Sequence, residues 1–212
     1  MRSRPESTRP APRLYLRSPS VTDPSAIRDG LAAVLAATDI AAVLLRLAPA
    51  DERTLINRIK ALAPLVQASG AALLIDDHPD LVARAGADGV HLSGSGALGS
   101  AISALKPQRI VGTGDLRTRH DAMLAAEAGV DYVMFGEPDS DGRRPSFAAI
   151  IERVAWWSEL FEIPCVAYAE RFGEMGELCK AGADFVAIGD AAFADPRQCA
   201  AVMAQVQLGS PA

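Results

Sequence analysis

Hydrophobic and polar positions follow a repeating order along this chain, in which an alanine-rich stretch ends at a glycine and a short apolar run begins soon afterwards. The clearest copies lie at residues 85–90, 128–133 and 181–186, and each reads Ala-Gly, then Ala or Val, then Asp. Glycine suits the left-handed position that follows a helix, and the aspartate can close the turn before a strand. Helices that turn directly into buried strands predict βα units that feed a parallel sheet.

The same order extends over the whole chain, because eight short apolar runs alternate with eight helical patterns. Strands are expected at residues 14–16, 41–45, 71–75, 89–92, 109–111, 132–135, 165–168 and 185–188. Helices are expected from about residue 24 and over residues 52–67, 80–85, 98–105, 118–128, 147–161, 173–181 and 196–206. Strands that are apolar throughout are typical of a sheet covered on both faces, and their number predicts a single (β/α)8 TIM barrel.

The composition supports this fold class and disfavours several kinds of partner. The 212 residues are 50% hydrophobic, which suits one α/β domain with a large core. A net charge of −5 argues against nucleic acid, because phosphate backbones bind basic surfaces. No apolar run reaches about 18 residues, so no membrane span is expected. Three cysteines without metal-type spacing fit a reducing cytoplasm.

Both ends of the chain are expected to lie outside the barrel. Residues 1–11 are polar, basic and proline-rich and lack the hydrophobic segment of a signal peptide, which predicts a short disordered tail. The barrel then covers residues 12–207, and residues 208–212 form a second tail. The apolar helices allow a homodimer, and the Trp156-Trp157 pair is expected to pack against the barrel or a partner subunit.

Candidate functional residues follow from the fold class, because the ligand of such a barrel binds at the carboxyl ends of its strands. The candidate positions are Arg46, Asp76, Asp77, the loop after Leu92, residues 112–115, residues 136–144, residues 169–171, Gly189 and Asp190. Two histidines lie nearby. His91 falls inside a strand and is expected to be a packed core residue, and His78 lies at the rim of the site.

A different site is suggested by residues 94–99, which match the dinucleotide fingerprint G-x-G-x-x-G between a strand and a helix. Asp115 lies about 20 residues further on, as that motif requires. The fingerprint usually opens its domain, however, whereas three βα units precede it here. A glycine-rich loop at a helix N-terminus can also hold a phosphate without being part of a dinucleotide fold.

Four stretches of the chain resemble the thiamine-phosphate synthase family, which includes the thiazole tautomerases. They are Ile-Asp-Asp at 75–77, Ala-Asp-Gly-Val-His-Leu at 87–92, Gly-Val-Asp-Tyr-Val at 129–133 and Ile-Pro-Cys-Val-Ala at 163–167. The likeness covers about residues 13–206. It implies a TIM barrel, Mg²⁺, small phosphorylated substrates, and the joining of hydroxymethylpyrimidine diphosphate to thiazole phosphate with release of pyrophosphate.

Some family positions carry a suitable residue in this chain. The resemblance implies catalytic roles for Arg46, at a diphosphate-binding arginine, and for Arg144, at a loop lysine, and it makes Asp77 a Mg²⁺ ligand. The implied substrate-binding positions are Asp76, Gly114, Ala169, Gly189 and Asp190.

Other family positions lack their usual polar group or glycine. The replacements are Leu44 for Gln, Ala48 for Lys, Gly96 near a metal-binding Asp, Gly114 for Ser, and Ala169-Glu170 for a Gly-Gly pair. Since the loss of one preorganised donor costs on the order of 100-fold in rate, two alternatives remain open. One is a barrel that binds a thiamine-related ligand without turnover. The other is a thiazole tautomerase-like enzyme, in which Glu137 replaces that branch's catalytic histidine as a proton carrier.

Overall fold

A computed structural model describes residues 10–139 and 141–207. Its parallel strands close into a barrel in the order β1 to β8, and β8 pairs with β1. The strands are β1 Arg13–Val21, β2 Ile40–Leu47, β3 Ala72–Asp76, β4 Gly89–Ser93, β5 Ile110–Gly114, β6 Tyr132–Phe135, β7 Cys165–Ala169 and β8 Phe185–Ile188. The closed barrel confirms the predicted (β/α)8 TIM fold. It also excludes the open sheet of a dinucleotide-binding domain, so the glycine fingerprint at 94–99 is coincidental.

Helices surround the barrel. They are α1 Pro24–Ala37, α2 Glu52–Ala68, α3 Val82–Ala85, α4 Leu98–Leu105, α5 Arg119–Ala128, α6 Phe147–Leu160, α7 Phe172–Lys180, α8 Asp190–Ala194 and α9 Pro196–Gln207. A 3-10 turn, Pro79–Leu81, precedes α3. Of the predicted tails, residues 1–9 and 208–212 lie outside the described residues. Among the helices described, none combines the length and apolar character needed to cross a membrane.

The sequence-based boundaries are wrong at several elements. Helix α8 has five residues and was not predicted, because so short an apolar turn has no helical periodicity. Strand β5 continues to Gly114, beyond the predicted end at residue 111, because glycine weakens the strand pattern. Strand β1 extends to Val21, and its pairing with β2 shifts register between Arg17 and Ser20. The polar Ser-Pro-Ser segment there lacks the apolar pattern of a strand, so the sequence did not predict this extension.

The aspartates of the three repeated phrases tie neighbouring strands together. Asp88, Asp131 and Asp184 each accept a hydrogen bond through the side chain from the backbone N–H of a strand residue, namely Leu73, Val111 and Cys165, at 2.7–2.8 Å. Each aspartate N–H also donates to the carbonyl of that same residue. The repeats therefore fix the register of successive strand pairs, rather than only closing a turn as predicted.

Two apolar layers form the core. The outer layer fills the space between strands and helices and contains Trp157, which is fully buried, stacks on Phe161 and donates to the Ile163 carbonyl at 2.7 Å. The inner layer fills the barrel and includes Tyr15, Leu44, Leu74, Tyr132, Met134, Val166 and Tyr168. Trp157 thus packs against the barrel, one of the two placements predicted for the tryptophan pair.

Glycines on β5 make room for large side chains inside the barrel. A Cβ atom built on Gly112 would lie 2.0 Å from the ring of Tyr132, its partner on β6. The Tyr132 hydroxyl is 2.9 Å from the Tyr15 hydroxyl and 2.9 Å from His91 Nδ1. The missing side chain at Gly112 therefore allows a buried hydrogen-bonded group that spans three strands.

We predict that Gly112→Ala lowers the free energy of unfolding by about 1–3 kcal/mol, because the added methyl group displaces the Tyr132 ring. Chemical denaturation of the purified protein measures this change. Gly99→Ala is the matched control, since nothing lies within 4 Å of a Cβ there and alanine is the better helix former. Equal stability of the Gly112 and Gly99 variants would contradict the proposed packing.

Candidate active site

A cavity of about 250 Å³ opens at the carboxyl ends of the strands. Its lining residues are Arg17, Leu44, Arg46, Asp76, Asp77, His91, Ser93, Asp115, Met134, Glu137, Pro138 and Asp139. A neighbouring cavity of about 330 Å³ shares Asp115, Met134, Glu137 and Asp139 with the first and reaches Arg144. The structure therefore brings Arg46, Asp76 and Asp77 together as predicted, whereas Arg144 lies beside the adjoining space.

Arg46 lies at the end of β2 and faces Asp76 at the end of β3. Its backbone N–H donates to the buried Ser18 hydroxyl at 2.9 Å, which anchors the end of the strand. Its Nε lies 3.6 Å from Asp76 Oδ2, too far for a hydrogen bond. This Nε is buried and has no hydrogen-bond partner in the described part of the chain. A buried donor without a partner is costly, so the site favours an added acceptor such as a phosphate oxygen.

Asp76 is held in an environment that disfavours its charge. Burial and repulsion from the neighbouring Asp77 raise the pKa of Asp76 to about 6, although Arg17 and Arg46 act in the opposite direction. The cavity thus combines two arginines with a carboxyl group that readily accepts a proton.

Asp77 has a left-handed backbone with φ of 54°, and its N–H donates to the His91 carbonyl at 2.8 Å. Its two carboxylate oxygens accept hydrogen bonds from the Ser93 N–H at 2.7 Å and from the Ser93 hydroxyl at 2.8 Å. In the described residues, no group of three His, Cys, Asp or Glu side chains could hold a metal ion. The adjacent carboxylates of Asp76 and Asp77 nevertheless match the one or two protein ligands that Mg²⁺ commonly uses alongside phosphate oxygens and water.

His91 is buried within β4 and also lines the cavity. Burial lowers its pKa to about 4, so the imidazole is neutral at pH 7. Its Nδ1 shares a hydrogen bond with the Tyr132 hydroxyl, and the two rings stack with centroids 5.7 Å apart. The expectation of a packed, hydrogen-bonded histidine is confirmed.

Glu137 enters the cavity from the loop after β6 and occupies space beside Gly114 on β5. A Cβ atom built on Gly114 would lie 1.8 Å from Glu137 Oε1 and 2.9 Å from His91 Nε2. The Asp115 N–H donates a hydrogen bond to the same Oε1. Burial raises the pKa of Glu137 to about 7, even though the Asp115 N–H and Arg17 favour the charged form.

Arg144 is engaged by other parts of the protein. Its guanidinium donates to Glu170 Oε2 at 3.0 Å, to Glu174 Oε2 at 3.1 Å and to the Tyr168 carbonyl at 3.1 Å. Glu174 is only 5% exposed, so this is a buried ion pair. The Nε of Arg144 is buried without a partner in the described residues. Arg144 therefore joins the loop after β6 to the start of α7, and Glu170 pairs with the cation next to it.

Three predicted substrate-binding positions lie near the carboxyl ends of β7 and β8 but do not line the cavity. They are Ala169, Gly189 and Asp190. Ala169 is fully buried in the outer core layer, so its methyl group faces the helices. Gly189 precedes α8, and a Cβ there would lie 3.1 Å from the Tyr168 hydroxyl. Asp190 is exposed in the first turn of that five-residue helix.

One charged cavity residue was missed in the sequence. Arg17 follows directly after the predicted first strand, and that position was the signal that could have identified it. Its guanidinium lies 5.7 Å from the centre of the Tyr168 ring. Asp115 lies within the predicted range of residues 112–115; it lines both cavities and has a left-handed φ of 47°.

Comparison with known proteins connects this geometry to a family. Residues 17–192 match the family model described as thiamine monophosphate synthase. The chain is 40% identical to the thiamine-phosphate synthase of Rhodospirillum centenum over 91% of this chain and 94% of that protein. It is 35% identical to the thiamine-phosphate synthase of Hyphomonas neptunium over 85% of each.

A solved structure shares the fold. The thiamine phosphate pyrophosphorylase of Pyrococcus furiosus superposes with a TM-score of 0.74 at 21% identity, covering 93% of this chain and 98% of that one. Together with the sequence matches, the barrel and its mouth confirm the resemblance drawn from the four motifs. The chain belongs to the thiamine monophosphate synthase family, transferases of thiamine biosynthesis.

Proposed function

We propose that the cavity at the barrel mouth joins hydroxymethylpyrimidine diphosphate to thiazole phosphate. The C–O bond between the pyrimidine's methylene carbon and its diphosphate breaks, and the thiazole nitrogen forms a new bond to that carbon as pyrophosphate leaves. The observation that carries this proposal is the buried Nε of Arg46, which lacks an acceptor in a cavity lined by family positions. An oxygen of the diphosphate supplies that acceptor.

Arg46 and Arg17 act on the leaving group in this proposal. Negative charge grows on the diphosphate as the C–O bond lengthens, and fixed cations in a partly buried site stabilise that charge without having to reorganise. Both guanidinium groups line the same cavity, and each can grip a phosphate through two parallel hydrogen bonds. Together they supply two cations to a cavity whose family lysine is replaced by Ala48 in this chain.

We propose that Asp77, with Asp76 beside it, holds Mg²⁺. When bound, the ion neutralises diphosphate charge and orients the leaving group. Asp77 is prepared for this role because Ser93 fixes its carboxylate orientation through two hydrogen bonds, and each oxygen still has a second lone pair. Since no aspartate stands near Gly96, phosphate oxygens and water would complete the coordination of a bound ion.

A second candidate function is proton transfer on a thiazole phosphate, as in the tautomerase branch. Glu137 favours it, because a carboxyl group whose pKa is raised to about 7 can both accept and release a proton near neutral pH. The two functions differ in their need for a diphosphate substrate, so a reaction with thiazole phosphate alone separates them.

The proposed setting is cytoplasmic, with small phosphorylated substrates as partners, no nucleic acid, and a homodimer as the assembly. The exposed apolar side chains of Leu124 on α5 and Leu160 on α6 allow a dimer but do not require one.

Incubating the protein with both phosphorylated substrates and Mg²⁺, and following thiamine phosphate as its fluorescent oxidation product, tests the proposed reaction. We predict that Arg46→Met lowers kcat/KM for the pyrimidine diphosphate by about 100-fold or more while the protein stays folded. Arg84→Met is the control, because Arg84 forms an exposed ion pair with Glu52 away from the cavity. Wild-type protein that forms no product would refute the synthase assignment. An Arg46 variant as active as the control would show that Arg46 does not contribute to the reaction.

We predict that Asp77→Asn raises the Mg²⁺ concentration needed for half-maximal rate by about tenfold or more, because an amide is a weaker ligand than a carboxylate. Removing Mg²⁺ with a chelator should abolish turnover by wild-type protein. Asp80→Asn is the matched control, since Asp80 is an exposed carboxylate three residues away that does not line the cavity. An Asp77→Asn variant with the same Mg²⁺ requirement as Asp80→Asn would remove Asp77 from the proposed metal site.

We predict that Arg144→Met lowers the free energy of unfolding by about 3 kcal/mol, because it leaves the Glu174 carboxylate buried with one cation fewer. Thermal and chemical denaturation measure the loss. The neighbouring Arg143 is 75% exposed, so Arg143→Met should change stability by less than about 0.5 kcal/mol. Unchanged stability in the Arg144 variant would contradict the anchoring role of this ion pair.

A further inference from the structure

The space beside Gly114 is shaped around a carboxyl group. Any side chain at residue 114 would collide with Glu137, because a Cβ atom there would lie only 1.8 Å from Oε1. The Asp115 N–H donates to that oxygen and holds the group in place. Two features, a missing side chain on β5 and a directed backbone donor, thus place one polar group at the centre of the barrel mouth.

The surroundings of this carboxyl group suit a flat heterocycle. Leu44 and Met134 line the same cavity as Glu137 and offer apolar surface to the faces of a ring. The cations in that cavity, Arg17 and Arg46, provide the contacts that a charged phosphate requires. Apolar walls with a few placed polar groups are the usual design of a small-molecule site.

We infer that Glu137 is the residue of this chain that recognises the pyrimidine ring, a specificity-determining contact for which Gly114 provides the space. This inference rests on the proposed synthase function. The ring of hydroxymethylpyrimidine diphosphate carries an amino group next to a ring nitrogen. That edge pairs with a protonated carboxyl group, because the amino group donates to one oxygen and the ring nitrogen accepts from the hydroxyl. A carboxylate oxygen has two acceptor sites, so the Asp115 bond and the substrate bond can coexist.

The ionisation of Glu137 is consistent with this pairing. Its pKa is raised to about 7 by burial, so a substantial fraction is protonated and can donate at neutral pH. Several charged and titratable groups interact with Glu137 or line the same cavity. They are Tyr15 and Arg17 from β1, Arg46 from β2, Asp76 and Asp77 at the end of β3, His91 from β4, Asp115 after β5, Tyr132 from β6, and Asp139 in the loop of Glu137 itself. His91 is neutral at this pH, and the charge of Arg17 opposes protonation of Glu137.

The first test compares Glu137→Gln with Glu137→Leu in the steady-state reaction. An amide keeps one donor and one acceptor, so Glu137→Gln should leave the KM for the pyrimidine diphosphate within about threefold of wild type at pH 7. Leucine removes both, and should raise that KM about 10- to 100-fold. The KM for thiazole phosphate should stay unchanged in both variants. Above pH 7, the wild-type KM for the pyrimidine should rise relative to that of Glu137→Gln, because only the glutamate loses its proton.

The second test uses the steric coupling to Gly114. Gly114→Ser should raise the KM for the pyrimidine diphosphate about as much as Glu137→Leu does, because the new side chain displaces the Glu137 carboxyl group. The double variant should be no worse than either single variant, since both remove one shared contact. Gly99→Ser is the control, as nothing lies within 4 Å of a Cβ there.

The outcomes separate this inference from the proposed function. If wild-type protein makes no thiamine phosphate, the synthase proposal fails. Binding of the uncharged hydroxymethylpyrimidine to wild type and to Glu137→Leu, measured by calorimetry, then still tests the contact. If wild type is active and Glu137→Leu leaves the pyrimidine KM unchanged, the inference is wrong. It is equally wrong if only kcat falls, which indicates proton transfer, or if only the KM for thiazole phosphate rises.

Discussion

The arrangement inside the barrel depends on the absence of side chains at two glycines of β5, Gly112 and Gly114. Gly112 and Gly114 lie two positions apart on β5, on the same face of the strand, where a side chain at either position would collide with neighbouring side chains. Tyr132 fills the first gap and Glu137 fills the second. Through Tyr132, the inner hydrogen bonds reach Tyr15 on β1 and His91 on β4. A barrel interior is normally filled by branched apolar residues, so this polar column is a departure that only small residues on β5 permit.

Electrostatics at the mouth follows from the same crowding. Asp76 and Glu137 both have raised pKa values because the barrel withdraws them from water, and Arg17 and Arg46 only partly offset that effect. On the other side of the loop, Arg144 is already neutralised by Glu170 and Glu174. Arg46 keeps a buried Nε without an acceptor among the described residues, and its ion pair with Asp76 is long, at 3.6 Å. Both arginines line the cavity, so a phosphorylated ligand is expected to bind next to Arg46 and Arg17.

Much of the fold could be predicted because local signals agree with it. The three Ala-Gly-x-Asp phrases mark helix ends, and their aspartates bond across strands, so one short motif sets both the turn and the register. The family could be read from the same stretches. The site was harder, since the direction of a side chain at a strand end depends on register and closure. Arg17 lies next to a register shift in β1, and the partner of Arg144 is Glu174, 30 residues away on α7. Neither relation has a local sequence signal.

A crystal structure of the protein with thiamine phosphate bound tests the central claim most directly, because the product carries the pyrimidine ring without turning over. The account predicts that the amino group and adjacent ring nitrogen lie about 2.6–3.2 Å from the Glu137 carboxyl oxygens, with Gly114 backing that group. A ring bound elsewhere at the barrel mouth, or a Glu137 side chain turned away from an occupied cavity, would contradict it.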